Sequence, residues 1–221
     1  GKSREIERNW QQIAELRTAQ AAQEERRRIA SDLHDDLGAQ LLTIVQASQR
    51  DGQPDRIAAM ARQALEEMRL SVRGMTGHVT AAEEALADWR AETVTRLSDA
   101  GMQPEWTADD PPSDLILPAR THVQVTRILR EAVSNAIRHS AGTRCAVRIR
   151  FRDGVLELEV EDDGRGLPRS GGTQRGHGLP NIERRARQLG GQHRFATPPG
   201  CAGTLLVVRI PLSTYPTQEL P

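Results

Sequence analysis

Apolar residues recur every three or four positions along the first third of this chain and every second position along much of the last third. Ile6, Trp10, Ile13 and Leu16, then Ile29, Leu33, Leu37, Leu41 and Ile44, draw one stripe along a helix expected from residue 4 to about 48. The stretch Ser48–Asp55 carries Asp51-Gly52 and Pro54, which stop that helix and reverse the chain. A second helix is expected after it, with Ile57, Met60, Ala61, Ala64, Leu65, Met68, Val72 and Met75 on one side. Two helices enclose no core alone, whereas two copies of such a hairpin close a four-helix bundle, so a homodimer is expected on burial grounds.

Gly74 and Gly77 mark a hinge near residue 80, and the pattern then becomes mixed. A helix is expected over 81–100, a short strand over Met102–Thr107, a loop over the Asp- and Pro-rich stretch Asp109–Asp114, and a helix from Pro118 to Ser140. Cys145–Phe151 and Val155–Val160 alternate on either side of Asp153-Gly154, a hairpin signal. The Gly-rich stretch 164–178 leads into a helix ending at Gly190-Gly191, and strands over Gln192–Ala196 and Thr204–Pro211 complete the pattern. Helices segregated from a mostly antiparallel sheet make an α+β fold. The expected architecture is therefore a helical hairpin forming a dimeric four-helix bundle, followed by an α/β sandwich. The sequence contains no internal repeats.

Composition narrows the partners. Across 221 residues, 30 Lys and Arg balance 30 Asp and Glu, so no bulk field draws the chain to nucleic acid or to an anionic membrane. An aromatic content of 3% argues against a surface for stacking bases, and no direct nucleic-acid partner is expected. Cys145 and Cys201 lack metal-ligand spacing and fit a reducing compartment without a disulfide framework. No apolar run approaches the ~20 residues of a membrane-spanning helix. No signal peptide is expected within this sequence, and Gly1-Lys2-Ser3 reads as a trimmed beginning.

Four blocks carry chemistry. On one helix, Glu131, Asn135, Arg138 and His139 share a face through spacings of three and four, offering oxygen donors to Mg²⁺ and cations to phosphate. Taken alone, that set reads equally well as a solvated face. Asp162-Asp163-Gly164-Arg165-Gly166 follows a strand; a carboxylate there can accept from an exocyclic amine such as that of adenine, and glycines let backbone approach a ring. Gly176-His177-Gly178-Leu179 opens a helix whose free N–H groups and dipole favour phosphate. Gly203-Thr204 opens a strand that could set a hydroxyl near the base. Upstream, His34 lies between Asp32 and Asp35-Asp36 on a charged helix, about 100° round from the apolar stripe at Leu33. That is the setting of a nucleophile able to meet a γ-phosphate; a lone histidine of this kind is more often a surface residue among ion pairs. His78, His122, His177 and His193 have no such setting and suit surface or packing roles.

In order and spacing these blocks, with the run Arg27-Arg28-Ile29-Ala30-Ser31-Asp32-Leu33-His34-Asp35, resemble the two-component sensor histidine kinases of the nitrate/nitrite-sensor class. The resemblance covers nearly the whole chain. It implies a coiled-coil signalling extension over 1–23, a dimerisation and phosphoacceptor domain over 24–80, an ATP-binding domain of the GHKL type over 81–213, shared with gyrase B, Hsp90 and MutL, and a tail over 214–221. It implies ATP and Mg²⁺ as cofactors, with His34 as the phosphorylated residue and Asp35 as the acid that orients it and takes its proton. Asn135 would hold Mg²⁺, with Glu131, Arg138 and His139 beside it. Asp162 would meet the adenine amine, Gly164 and Gly166 would shape the pocket, and Gly176 and Gly178 would bound a lid running from Leu167 to Arg175. Leu179 and Thr204 complete the nucleotide-contacting set. The implied partner is the receiver domain of a response regulator, and a membrane would be reached only through a sensor region upstream.

The pattern is broken at one position. Ala39 stands where many relatives carry a glutamine thought to orient water for dephosphorylating the regulator, and Gln40 lies one residue further round. Weak phosphatase activity, or use of Gln40 in altered geometry, is expected. A noncatalytic nucleotide-gated scaffold fits less well with Asn135, Asp162 and His34 all in place. A serine kinase of the anti-sigma-factor type would lack the hairpin that bears His34. A P-loop ATPase is disfavoured because the Gly-x-x-x-x-Gly-Lys-Ser/Thr loop is missing.

Overall fold

The computed structural model describes residues 54–75, 77, 79–166, 178–200 and 202–212, together with helical positions 10–14, 16–21, 23, 24, 27, 38, 41–46 and 48. The chain divides into two compact units, Gly1–His78 and Val79–Pro221.

In the first unit the described positions before residue 49 are helical, and helix α1 runs Pro54–Met75. Pro54 suits a helix start because the first turn's N–H groups have no intrahelical partner to lose. Asp55 in the first turn and Arg73 in the last complement the helix dipole. Ala64 and Leu70 are buried, but Leu65, Met68 and Val72 remain 50%, 37% and 48% exposed. Leu41, Leu42 and Val45 are as exposed, at 50%, 58% and 49%. This unit thus leaves an apolar helical surface in water. The expected chain reversal falls largely on residues 49–53, outside the described residues.

The second unit begins with strand β1 (Thr80–Ala81), paired antiparallel with β3 (Ile116–Leu117). These two-residue strands were not expected, since alternation cannot be read over two positions. Helix α2 (Ala82–Asp99) follows at once, its Ala82 N–H donating to the Leu115 carbonyl at 2.9 Å. Then come β2 (Gln103–Ala108), helix α3 (Ala119–Asn135), β4 (Arg144–Arg152), β5 (Val155–Asp162), helix α4 (Gly178–Gln188), β6 (Gln192–Ala196) and β7 (Leu205–Pro211). Pro118, with φ −55°, caps α3 and receives the His122 N–H at 3.0 Å. The larger sheet has the order β2-β4-β5-β7-β6, with β2 parallel to β4 and the remaining neighbours antiparallel.

Two residues close the β4–β5 hairpin. Arg152 pairs with Val155, and Asp153 and Gly154 both take left-handed backbone, with φ 51° and 71°, as a tight turn matching strand twist requires. The helices supply Trp89, Leu97, Val125, Ile128, Val133, Ile182 and Ala186 to a core completed by Val147, Ile149, Leu156, Leu158, Val208 and Ile210 of the sheet. Several polar groups inside it are hydrogen-bonded to one another. The Trp89 indole N–H donates to Thr126 Oγ1 at 2.8 Å, and its ring stacks on His122 at 5.7 Å, which gives that buried histidine a packing role. Arg185 of α4 donates to Gln124 Oε1 of α3 at 3.0 Å, both buried.

The opposite parity of the strands faces outward as a ladder of ion pairs. Arg144 bridges Glu105 and Glu161, at 2.9 and 3.2 Å. Arg148 meets Glu161 at 2.8 Å, Arg150 meets Glu159 at 2.9 Å and Glu157 at 3.1 Å, and Arg209 meets Glu157 at 2.6 Å. Pairs this open to solvent add roughly 0–1 kcal/mol each, and their larger effect is to make the uncovered sheet face hydrophilic.

Candidate functional site

Strand parity places the central group of the site. Along β5, Leu156, Leu158, Val160 and Asp162 all point to the helix-covered face, so Asp162 puts a carboxylate where the alternation otherwise puts an aliphatic side chain. It is 7% exposed, and burial holds its pKa above the ordinary carboxylate range, opposed by hydrogen bonds from Gly164 and Thr204. Its Oδ1 accepts from Gly164 N–H at 2.9 Å and Thr204 N–H at 3.3 Å, while its own N–H donates to the Thr204 carbonyl at 2.9 Å. Backbone from three segments closes round it. A Cβ on Gly203 would land on the Asp162 carbonyl oxygen, and one on Gly164 would land on that of Ser140. Gly166, with φ 74°, approaches Ala202 as closely. Asp162, Gly164, Gly166 and Thr204 therefore form one constellation, with a buried acceptor at its centre.

The helix block is placed differently from a plain helical face. Glu131 and Asn135 keep α-helical spacing at the end of α3, and both are half-buried. From Ala136 to Ser140 the helix widens into a π-turn, which carries Arg138 and His139 into solvent. The expected four-residue face thus differs along its length: Glu131 and Asn135 are half-buried, whereas Arg138 and His139 are exposed. Such turns recur at functional sites because they re-aim side chains without ending the helix. Among the described residues no group of three His, Cys, Asp or Glu could hold a metal ion. A magnesium ion bound here would take most of its oxygens from the triphosphate and water, its usual mode.

The π-turn ends against the loop that follows β5. Arg165 N–H donates to the Ser140 carbonyl at 2.8 Å, and the Arg165 guanidinium donates to the His139 carbonyl at 2.7 Å. Ala141 then takes left-handed backbone, with φ 53°, and Gly142 N–H donates to Ser140 Oγ at 2.9 Å. Asp163, given no role by the sequence, accepts Thr143 N–H at 2.8 Å, Arg144 N–H at 2.9 Å and the Thr143 hydroxyl at 2.9 Å. These bonds, led by that from Arg144, hold its carboxyl below the ordinary range.

His34, Asp35 and Gly176 lie outside the described residues, as does the expected lid from Leu167 to Arg175. Gly178 opens α4, and Leu179 is half-buried in its first turn. Cys145 is buried on β4, and burial pushes its thiol up to about 12, which removes it from thiolate chemistry.

Comparison with known proteins adds independent findings. Residues 121–214 match the family model of the histidine kinase-, DNA gyrase B- and HSP90-like ATPases. The sensor histidine kinase LnrJ of Bacillus subtilis is 31% identical over 184 residues, covering 77% of this chain and 44% of LnrJ. The sensor protein VraS of Staphylococcus saprophyticus is 24% identical over 210 residues, 91% of this chain and 59% of that protein. The chain thus spans about half the length of the curated relatives it matches. Among solved structures, the Erythrobacter litoralis EL346 blue-light activated histidine kinase superposes with a TM-score of 0.54 at 21% identity, over 85% of this chain and 63% of that one. The histidine kinase AdeS of Acinetobacter baumannii gives 0.52 at 16% identity, over 82% and 95%. Taken with the β5-end constellation, these matches show a GHKL-type ATP-binding domain in the second unit and a likeness of the chain to two-component sensor histidine kinases.

Proposed function

We propose that this chain is the catalytic part of a sensor histidine kinase of the nitrate/nitrite-sensor class, which phosphorylates itself on His34 from Mg-ATP and passes the phosphoryl group to an aspartate of a response regulator. The observation that carries the reading is Asp162, a buried carboxylate with one oxygen held by backbone N–H groups, at a strand end where backbone segments approach too closely for any side chain. A desolvated acceptor pairs well with an amine donor such as the N6 group of adenine.

In this reading Asn135 holds a magnesium ion, which would offset charge on the transferred group. Glu131 lies one helical turn away on the same face. Arg138 and His139, both exposed, would donate to phosphate oxygens, and the N-terminus of α4 at Gly178-Leu179 would favour a further anion. An unprotonated ring nitrogen of His34 forms the new N–P bond as the bond between the γ-phosphorus and its bridging oxygen breaks, releasing ADP. Asp35 accepts the proton on the other ring nitrogen and so leaves the attacking lone pair free. Acyl phosphate formation on the regulator aspartate regenerates neutral His34.

Incubation with γ-labelled ATP and Mg²⁺ tests the reading. Wild type is expected to take up acid-labile, base-stable label, and His34→Gln and Asn135→Ala to take up none. Label retained by His34→Gln removes the proposed nucleophile.

A further inference from the structure

We propose that Asp163 is a positioning residue: its carboxylate clamps the exit of the π-turn to the loop after β5, so that the segment bearing Asn135 and His139 and the segment bearing Asp162 hold one fixed register. This inference rests on the nucleotide-site reading above and assigns a role to a residue that does not itself face the base.

The geometry is specific. Both carboxylate oxygens are used, Oδ1 by two successive backbone N–H groups and Oδ2 by the Thr143 hydroxyl, all within 2.9 Å. Those donors sit just past the π-turn, about twenty residues before Asp163 in sequence, where the β4–β5 ladder, ending at the Cys145–Asp162 pair, already brings Arg144 opposite Asp163; the carboxylate extends that ladder to Thr143, at the exit of the π-turn. The joint leaves no slack. A Cβ on Gly142 would strike the Asp163 carboxylate, one on Gly164 would strike the Ser140 carbonyl, and Arg165 closes the other side through Ser140 and His139. The chain passes through this joint in left-handed backbone at Ala141, φ 53°, a conformation a non-glycine side chain holds only where surrounding bonds enforce it. In that reading Asp162 fixes the base from the strand side, and Asp163, one residue past the end of β5, fixes the segment that follows the π-turn. Loss of the clamp therefore loosens the register between base and phosphate subsites while both sets of contacting side chains remain.

A displacement assay with a fluorescent adenine nucleotide on the full chain tests this, using ATP with Mg²⁺ and ADP without it as competitors, with thermal melting in parallel. Asp163→Ala is expected to weaken Mg-ATP about tenfold and Mg-free ADP by less than about threefold, since a tenfold change corresponds to ~1.4 kcal/mol, within the range of one or two lost charge-assisted hydrogen bonds. Asp163→Asn keeps an acceptor for the two N–H groups and is expected to recover Mg-ATP affinity to within about threefold of wild type. Thr143→Val, which removes only the hydroxyl bond, shifts affinity the same way by about twofold and decides the matter should Asp163→Ala fail to fold. Equal losses for both competitors, no recovery in Asp163→Asn, or folded variants with wild-type Mg-ATP affinity overturn the clamp while leaving the site reading intact. A wild-type chain that displaces no nucleotide overturns both.

Discussion

Asp162 and Asp163 are neighbours in sequence with opposite electrostatic settings, because burial dominates at the first and hydrogen bonds at the second. Asp162 faces the core, where loss of water raises its carboxyl above the usual range, so its ionised form costs stability in the ligand-free protein at neutral pH. Protonation relieves that cost: its contribution to stability rises as pH falls through the raised folded value. Asp163 faces outward into three donors that hold its carboxyl low, so its contribution is present above the unfolded value near 4 and is lost as pH falls through the lower folded one. Asp162→Asn keeps an oxygen for the Gly164 and Thr204 N–H groups and removes a buried charge. The ligand-free variant should therefore melt no lower than wild type by calorimetry. Its ATP affinity by titration calorimetry should nevertheless fall at least about tenfold, since a hydrogen bond to a charged acceptor adds about 1.5–3 kcal/mol. A variant that melts well below wild type, or binds as tightly, contradicts this account of Asp162. Asp162 was legible in the sequence because it ends an alternating run and precedes glycines. The role of Asp163 was not, because the hairpin brings Arg144 opposite it but does not show that the side chain bonds to backbone N–H groups there.

Elements with a strong local rule were readable, and those governed by contacts distant in sequence were not. The β4–β5 hairpin follows from two alternating runs about Asp153-Gly154, and β6 ends where the sequence places it, at Ala196. The π-turn after α3 has no sequence signature, since spacings of three and four presuppose the α-helix they are used to detect. The widening is held from outside, by Arg165 and by the close approach of Gly164 to Ser140. That gives Gly164→Ala a definite consequence. The added methyl meets a backbone carbonyl, which cannot swing aside as a side-chain tip can, so either the loop or the turn must move. A melting temperature lowered by the equivalent of about 1–3 kcal/mol is expected, with loss of ATP binding. Unchanged melting and binding would mean that loop and turn are not held together as described.

At the scale of the molecule the two units differ in how they dispose of apolar surface. Val79–Pro221 closes its own core round Trp89, Ile128, Ile149, Leu158 and Ile210, all 2% exposed or less, and covers its free sheet face with paired charges. Gly1–His78 leaves Leu41, Leu42, Val45, Leu65, Met68 and Val72 between 37% and 58% exposed, on helical segments. Burying one such side chain adds roughly 1.5–3 kcal/mol, so a second copy of the hairpin laid against this surface would gain enough to associate, and hairpin pairs of this kind close four-helix bundles. Nothing in the sequence apart from the stripe itself indicates the partner, because a chain's own pattern shows that a face must be covered but not by what. Replacing both Leu65 and Val72 by Glu places charges inside any such interface while leaving every buried residue of the second unit untouched. Sedimentation velocity at micromolar concentration should show wild type as a dimer and the double variant as a monomer. ATP affinity should stay within about twofold, since separate compact units change nearly independently. A variant that still sediments as a dimer would show that the exposed stripe is not the self-association surface. One that turns monomeric and also loses ATP binding would show that the nucleotide site depends on the paired hairpins, and the independence of the two units assumed here would be wrong.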